Sequence, residues 1–157
     1  MREILSMKLD DVDRRLIRLL QRDGRISNQD LANAAAMSSS ACWRRVRALE
    51  EAGVLRGYTA LVDAASLELS FHAIVHVGLT RHAEDTVDSF VAAIQAREEV
   101  LDCFATTGES DYHLRVLCPD LAAYNRFLEV LFRLPGVANA RTNLVLREIK
   151  QETALPL

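Results

Sequence analysis

The sequence predicts an α+β protein built in two modules, a helix-turn-helix over residues 1–62 and a βαββαβ domain over residues 63–157. Three observations carry this. Apolar residues recur at helical spacing in three short segments before residue 53, the second and third meeting at a tight turn. Beyond residue 70 the texture becomes strand, helix, strand, strand, helix, strand. Charge divides the same way: residues 1–60 hold 11 Lys+Arg against 8 Asp+Glu, and residues 61–157 hold 8 against 14. These balances, +3 and −6, sum to the net −3 of the 157-residue chain. A basic first half joined to an acidic second half points to two modules with different partners.

The first helix is predicted over Leu9 to Arg22, with Asp10 or Asp11 as N-cap and Val12, Leu16, Leu19 and Leu20 at helical spacing. Gly24 ends it. Ser27, with Asp30 three residues on, is close to a capping box and opens a second helix from Asn28 to about Ala35 that buries Leu31 and Ala34. Ala36-Met37 makes the turn.

The third segment, Ser38 to Gly53 (SSSACWRRVRALEEAG), is the one the first module is organised around. At 100° per residue Cys42, Val46 and Leu49 fall on the side that must face a core. Ser40, Arg44 and Arg47 fall opposite, with Trp43 and Arg45 on the flanks. Arginine's fork matches a guanine edge or a phosphate, and Ser38 and Ser39 stand where they can cap the helix start. Two readings of these residues stay open: a surface helix with solvated arginines, or a helix shaped for a DNA groove. Three helices with a tight turn before a basic third one favour the groove.

At the end of the first module, Val54 to Val62 reads as an extended connecting strand, and Asp63-Ala64-Ala65 turns out of it. Phe71–Leu79 is a strand by its β-branched content. Glu84 to Arg97 is a helix with Val87, Phe90, Val91 and Ile94 inward. Val100–Thr107 and Asp111–Cys118 are strands joined by the hairpin turn Gly108-Glu109-Ser110. Leu121 to Leu134 is a helix with Tyr124, Phe127, Leu128 and Leu131 inward, and Pro135-Gly136 stops it before a long last strand, Val137–Ile149. This ferredoxin-like order gives an antiparallel sheet with two helices on one face.

Composition narrows the function. Half the residues are apolar, enough for real cores. No apolar run approaches the roughly 20 residues that span a bilayer. The first stretch, MREILSMKLDDVDRR, is charged throughout and has no signal-peptide core, which leads us to expect a cytoplasmic protein. Three cysteines, Cys42, Cys103 and Cys118, make no disulfide framework. His72, His76, His82 and His113 share the second module with two of them, without CxxC, HxH or helical HxxxH spacing. His72 and His76 lie roughly 13 Å apart at strand rise, too far for one ion, so we expect no metal and no other cofactor. There is no phosphate-binding Gly loop, no GxSxG and no convergent Ser/His/Asp spacing, so no enzyme is expected. Two rivals remain. One is a metabolite-binding or small enzymatic subunit on the βαββαβ fold, and the other is an architectural, DNA-compacting protein.

Four stretches, in this order, resemble the Lrp/AsnC (feast/famine) family of transcription regulators. They are LDDVDRRLIRLLQRDGRISNQDLA, RRVRALEEAGVLRGYTALVD, TGESDYHLRV and the terminal ALPL. The likeness runs from Leu9 to the last residue. It implies a winged type of helix-turn-helix, with DNA contacts among Ser38, Ser39, Ser40, Trp43, Arg44, Arg45 and Arg47. It implies a second domain that senses a free amino acid at Gly108, Glu109, Ser110, Asp111 and Tyr112, where composition alone describes only an ordinary turn. It also implies homodimers pairing through their sheets, assembling further into octamers or similar rings on a roughly palindromic operator, and a nucleoid-associated location. Both faces of the Phe71 strand and of the last strand should then be apolar. Three departures stand out: Ala36 where the family often has Gly, Ser39 and Ala41 where Pro is common, and Trp43 where Leu is usual. We expect Trp43 to cover the domain core from the helix flank.

Overall fold

The structure is a computed structural model and describes residues 8–80 and 84–157. The chain divides into two compact units, residues 1–61 together with 150–157, and residues 62–149. Residues 150–157 return to the first unit, a contact across the chain that local patterning does not reveal.

The first unit holds α1 (Asp11–Arg22), α2 (Asn28–Ala34) and α3 (Ser39–Glu51). Asp10 and Asp13 form a full capping box at the start of α1, and Ser27 and Ser38 cap α2 and α3. Leu16, Leu20, Leu31, Ala32, Ala35 and Cys42 make the core, with Val46 and Leu55 packed against it. The expected burial of Ala34 is wrong: Ala32 and Ala35 face inward, and Ala34 is exposed. With alanines at 32, 34, 35 and 36 there was no hydrophobic contrast to set the phase of α2.

Both ends of the helix-turn-helix close with the same motif. After α3, Val54 N donates to Leu49 O and Gly53 N to Glu50 O, with Gly53 at φ 70°. After α2, Met37 N donates to Ala32 O and Ala36 N to Asn33 O, and here Ala36 itself takes the left-handed φ of 56°. The turn uses the positive φ without the glycine that would make it easy, at a cost of about 1–2 kcal/mol for an L-residue. Ala36→Gly should therefore raise stability, by up to about 1 kcal/mol once glycine's extra unfolded-state freedom is subtracted. A urea midpoint unchanged or lowered in that variant would contradict this.

The connecting strand expected over residues 54–62 is absent: no ladder partner reaches that stretch. A short 3-10 turn, Ala65–Leu67, follows it, held by Asp63 Oδ2 accepting from Ser66 N at 2.8 Å.

The second unit contains β1 (Phe71–Leu79), α4 (Glu84–Gln95), β2 (Val100–Ala105), β3 (Tyr112–Cys118), α5 (Leu121–Leu131) and β4 (Val137–Leu144). All pairings are antiparallel, in the order β2-β3-β1-β4. Ala73, Val75, Val77, Leu114 and Val116 project from one side of the sheet onto Phe90, Ile94, Tyr124, Phe127 and Leu131 of the two helices. β4 stops at Leu144, five residues short of the sequence expectation. The opposite side of the sheet is not apolar as expected. It presents His72, Ile74 and His76 from β1, paired with His113, Arg115 and Leu117 of β3 and with Arg141 and Asn143 of β4. A strand with one buried face needs only alternate apolar residues, and β1 adds no more than Ile74 to that pattern.

Candidate nucleic-acid interface and effector site

In the first unit α3 is locked on one side and open on the other. Cys42 and Leu49 are fully buried, whereas Ser40, Arg44 and Arg47 are exposed. Arg44 pairs with no side chain among the described residues. Among the described residues Arg47 makes only long, exposed contacts within its own helix, 3.9 Å to Glu50 and 3.5 Å to Glu51, of the kind worth a few tenths of a kcal/mol. These two cations and Ser40 form the polar face read from the sequence.

The other candidates are placed differently. Ser38 Oγ caps the helix, accepting from Ala41 N at 3.3 Å. Ser39 is held by α2: its hydroxyl donates to Gln29 Oε1 at 2.6 Å, and its carbonyl accepts from Asn28 Nδ2 at 3.0 Å. Arg45 is turned away from the open face, toward Asp10 and Asp13 of α1, at 2.8 and 2.7 Å. Those partners lie 35 and 32 residues earlier, which helical spacing could not show. Trp43 does not cover the core; it is 61% exposed and lines an open cleft of ≈ 280 Å³ with Leu31, Val46, Arg47 and Tyr58. Its neighbours on the inner side of α3 are small or already packed, so the ring has no place inside.

In the second unit the β2–β3 turn is tied down at several points. Thr106 N donates to Asp111 O, Asp111 N to Val77 O, and Leu79 N to Asp111 Oδ2 at 2.7 Å. Asp111 therefore organises the turn by stapling it to β1. Ser110 is 5% exposed. Gly108 is exposed at φ 121°, with nothing within 4 Å of the place a Cβ would occupy. Glu109 reaches across to Arg141 at 2.8 Å. Tyr112 lies half-buried, its ring 4.8 Å from Phe90. Loss of hydration, then negative charge at Cys103, Asp111 and Asp88, pushes its hydroxyl pKa up, so it stays a neutral donor. The turn thus combines open backbone at Gly108 with a buried Ser110 and a half-buried, neutral Tyr112.

On the uncovered sheet face His76 Nδ1 meets His113 Nδ1 at 2.8 Å, not His72. Among the described residues no three metal-ligating side chains gather; His82 lies outside them. Burial lowers the His76 pKa, and the positive charge available to His113 and Arg141 lowers it further. The folded protein thus resists a proton that the unfolded chain accepts. Stability should be unaffected above the ordinary histidine value of about 6.5, and should fall as pH drops through it toward the depressed native value. Urea midpoints measured between pH 8 and 5 should decline more steeply for the native sequence than for His76→Gln; equal slopes would contradict this. Burial also raises the thiols of Cys42 and Cys118, leaving neither primed for redox chemistry.

A helix-turn-helix with an open cationic face, joined to a βαββαβ unit, is the architecture of two-module ligand-binding transcription regulators. Residues 9–56 match the profile described as winged helix-turn-helix DNA-binding, and residues 72–155 match the Lrp/AsnC ligand binding domain. The chain belongs to the Lrp/AsnC family of transcriptional regulators. It is 43% identical to the leucine-responsive regulatory protein of Salmonella typhimurium over 148 residues, covering 94% of this chain and 90% of that one. It is 42% identical to the Escherichia coli protein of the same name over the same shares. Among solved structures it superposes on a Neisseria meningitidis transcriptional regulator in complex with L-Met (TM-score 0.90, 39% identity, 95% and 97% of the two chains). An AsnC family regulator of Agrobacterium tumefaciens gives the same TM-score of 0.90 at 30% identity, over 94% and 97%. The relatives are named as regulators, and no helix among the described residues is long and apolar enough to cross a membrane.

Proposed function

We propose that this regulator binds a specific, roughly palindromic operator through α3, and that a free amino acid taken up at the Gly108–Tyr112 turn changes that binding. The observation that carries the reading is the division of α3, whose inner face is fixed in a core while Arg44 and Arg47 stand free of strong partners. The complex of the Neisseria relative with L-Met supports an amino acid as effector. Operator symmetry follows from a homodimer. Its contact is the uncovered sheet face, where Ile74 and Leu117 sit among polar groups, and further assembly of dimers, octamers included, places effectors between them. The protein acts as a cytoplasmic, nucleoid-associated regulator and not as an enzyme.

The test is footprinting on the upstream region of the protein's own gene, with and without a panel of amino acids. Calorimetry measures ligand affinity, and hydrogen exchange locates the site. We expect protection of a symmetric sequence that shifts with one or a few amino acids, and slowed exchange at residues 106–112. A specific footprint indifferent to every amino acid would remove the effector, and exchange slowed elsewhere would move the site.

A further inference from the structure

The direction in which the open face of α3 points depends on how α3 is fixed to α1, and one cation makes that link. The capping box of α1 uses one oxygen of each carboxylate: Asp13 N donates to Asp10 Oδ1 at 2.8 Å, and Asp10 N to Asp13 Oδ2 at 3.2 Å. The two oxygens left over, Asp10 Oδ2 and Asp13 Oδ1, are the two that a single Arg45 Nη1 takes, at 2.8 and 2.7 Å. The side chain of Asp13 is only 4% exposed, so its charge has little water and needs this partner. Arg45 Nη1 is thus drawn to two fixed points on α1, 32 and 35 residues away, while Arg44 and Arg47 lie one and two positions to either side of it on α3. Each residue turns a helix by 100°, so a small rotation of α3 about its axis would swing both exposed arginines sideways.

We propose that Arg45, with Asp13, is a positioning residue for DNA recognition and not a DNA contact: the pair sets the rotation of α3 against α1, and so the aim of Arg44 and Arg47. This rests on α3 being the helix that enters the groove. The remaining donors of Arg45 are secondary to the bridge, and its side chain is 35% exposed. A lysine at this position keeps the charge, but its rotating ammonium does not fix the two N–H directions that the planar guanidinium holds at Nη1.

The test measures binding of the full-length protein to its own upstream duplex and to an unrelated duplex across a salt series, for the native sequence and for Arg45→Lys, Arg45→Gln, Asp13→Asn and the Arg45→Gln, Asp13→Asn pair. Helicity by circular dichroism is checked at the assay temperature. A phosphate-contacting arginine replaced by glutamine lowers the slope of log K against log salt by about 0.9, and lysine restores it. A positioning residue behaves otherwise. We expect Arg45→Lys and Arg45→Gln to lose on the order of tenfold in preference for the specific duplex, with slopes unchanged; tenfold corresponds to about 1.4 kcal/mol. Asp13→Asn should lose a similar factor, and the double variant no more than the worse single one. Arg45→Lys retains a cation for Asp13 and stays readable should Asp13→Asn unfold. Arg45→Lys binding like the native protein, with Arg45→Gln losing slope, would make Arg45 a phosphate contact and overturn the proposal. If the native protein itself shows no preference for the specific duplex, the groove-entering role of α3 fails and the assignment of Arg45 falls with it.

Discussion

Replacing Arg44 and Arg47 together by alanine should weaken binding to the specific duplex by about 30-fold or more, two contacts at about 1–3 kcal/mol each. The expectation follows from exposure and partnership. Arg44 pairs with nothing among the described residues, and Arg47 gives up only two long, solvent-screened contacts to glutamates when it reaches DNA. Neither substitution touches the core, since Cys42 and Leu49 carry the packing of α3, so thermal stability should stay close to native. The single variants separate the roles. An arginine bonded to a base edge loses discrimination at one base pair, whereas one bonded to phosphate weakens all duplexes alike and lowers the salt slope. Gel shift or fluorescence anisotropy at several salt concentrations reads both. Native-like affinity in the double variant would show that another surface enters the groove.

The second large effect is expected on stability. Phe90→Ala should destabilise the βαββαβ unit by about 3–5 kcal/mol, because Phe90 is fully buried among Val75, Val77 and Leu114 and leaves a cavity that the sheet cannot collapse to fill. Its ring also backs Tyr112, the last residue of the turn proposed to take the effector, so amino-acid affinity should fall with stability. The chain has one tryptophan, Trp43, and it belongs to the helical unit, whose core is a separate cluster. Urea unfolding followed by Trp43 fluorescence therefore reports the first unit, and circular dichroism reports both. In Phe90→Ala the dichroism transition should move to lower urea ahead of the fluorescence transition. Coincident shifts would show that the two cores melt as one.

The legible parts of this fold are those that local physics decides. The caps at Asp10, Ser27 and Ser38, the strand Phe71–Leu79 and the inward faces of α4 and α5 each follow from a few neighbouring residues, and the structure has them. The exposed arginines at 44 and 47 were readable for the same reason: a strong apolar stripe opposite them fixed the helix phase. What stayed hidden depends on distance along the chain. Arg45 sits on the flank of α3, where periodicity is silent, and its carboxylate partners are on another helix. The stapling of the β2–β3 turn by Asp111 needs β1, some 30 residues earlier, to be in place. Trp43 was misjudged because size suggests burial, yet the core of three short helices is filled by residues no larger than leucine. Weak contrast hid the rest, as in the alanine run of α2 and the polar outer face of β4.

The return of residues 150–157 to the first unit has a consequence for how the protein is made. The Gln21 carboxamide grips Leu155 at both ends of its peptide, accepting from Leu155 N at 2.6 Å and donating to Leu155 O at 3.2 Å, across 134 residues of sequence. On the ribosome the three helices emerge early, but the segment that completes their unit emerges only after all of residues 62–149 have been translated. The entropic cost of bringing the two ends together grows only with the logarithm of the length between them, each doubling adding about 0.6 kcal/mol. The core of the DNA-binding unit lies within residues 12–55, so residues 150–157 dock last, on helices already able to pack.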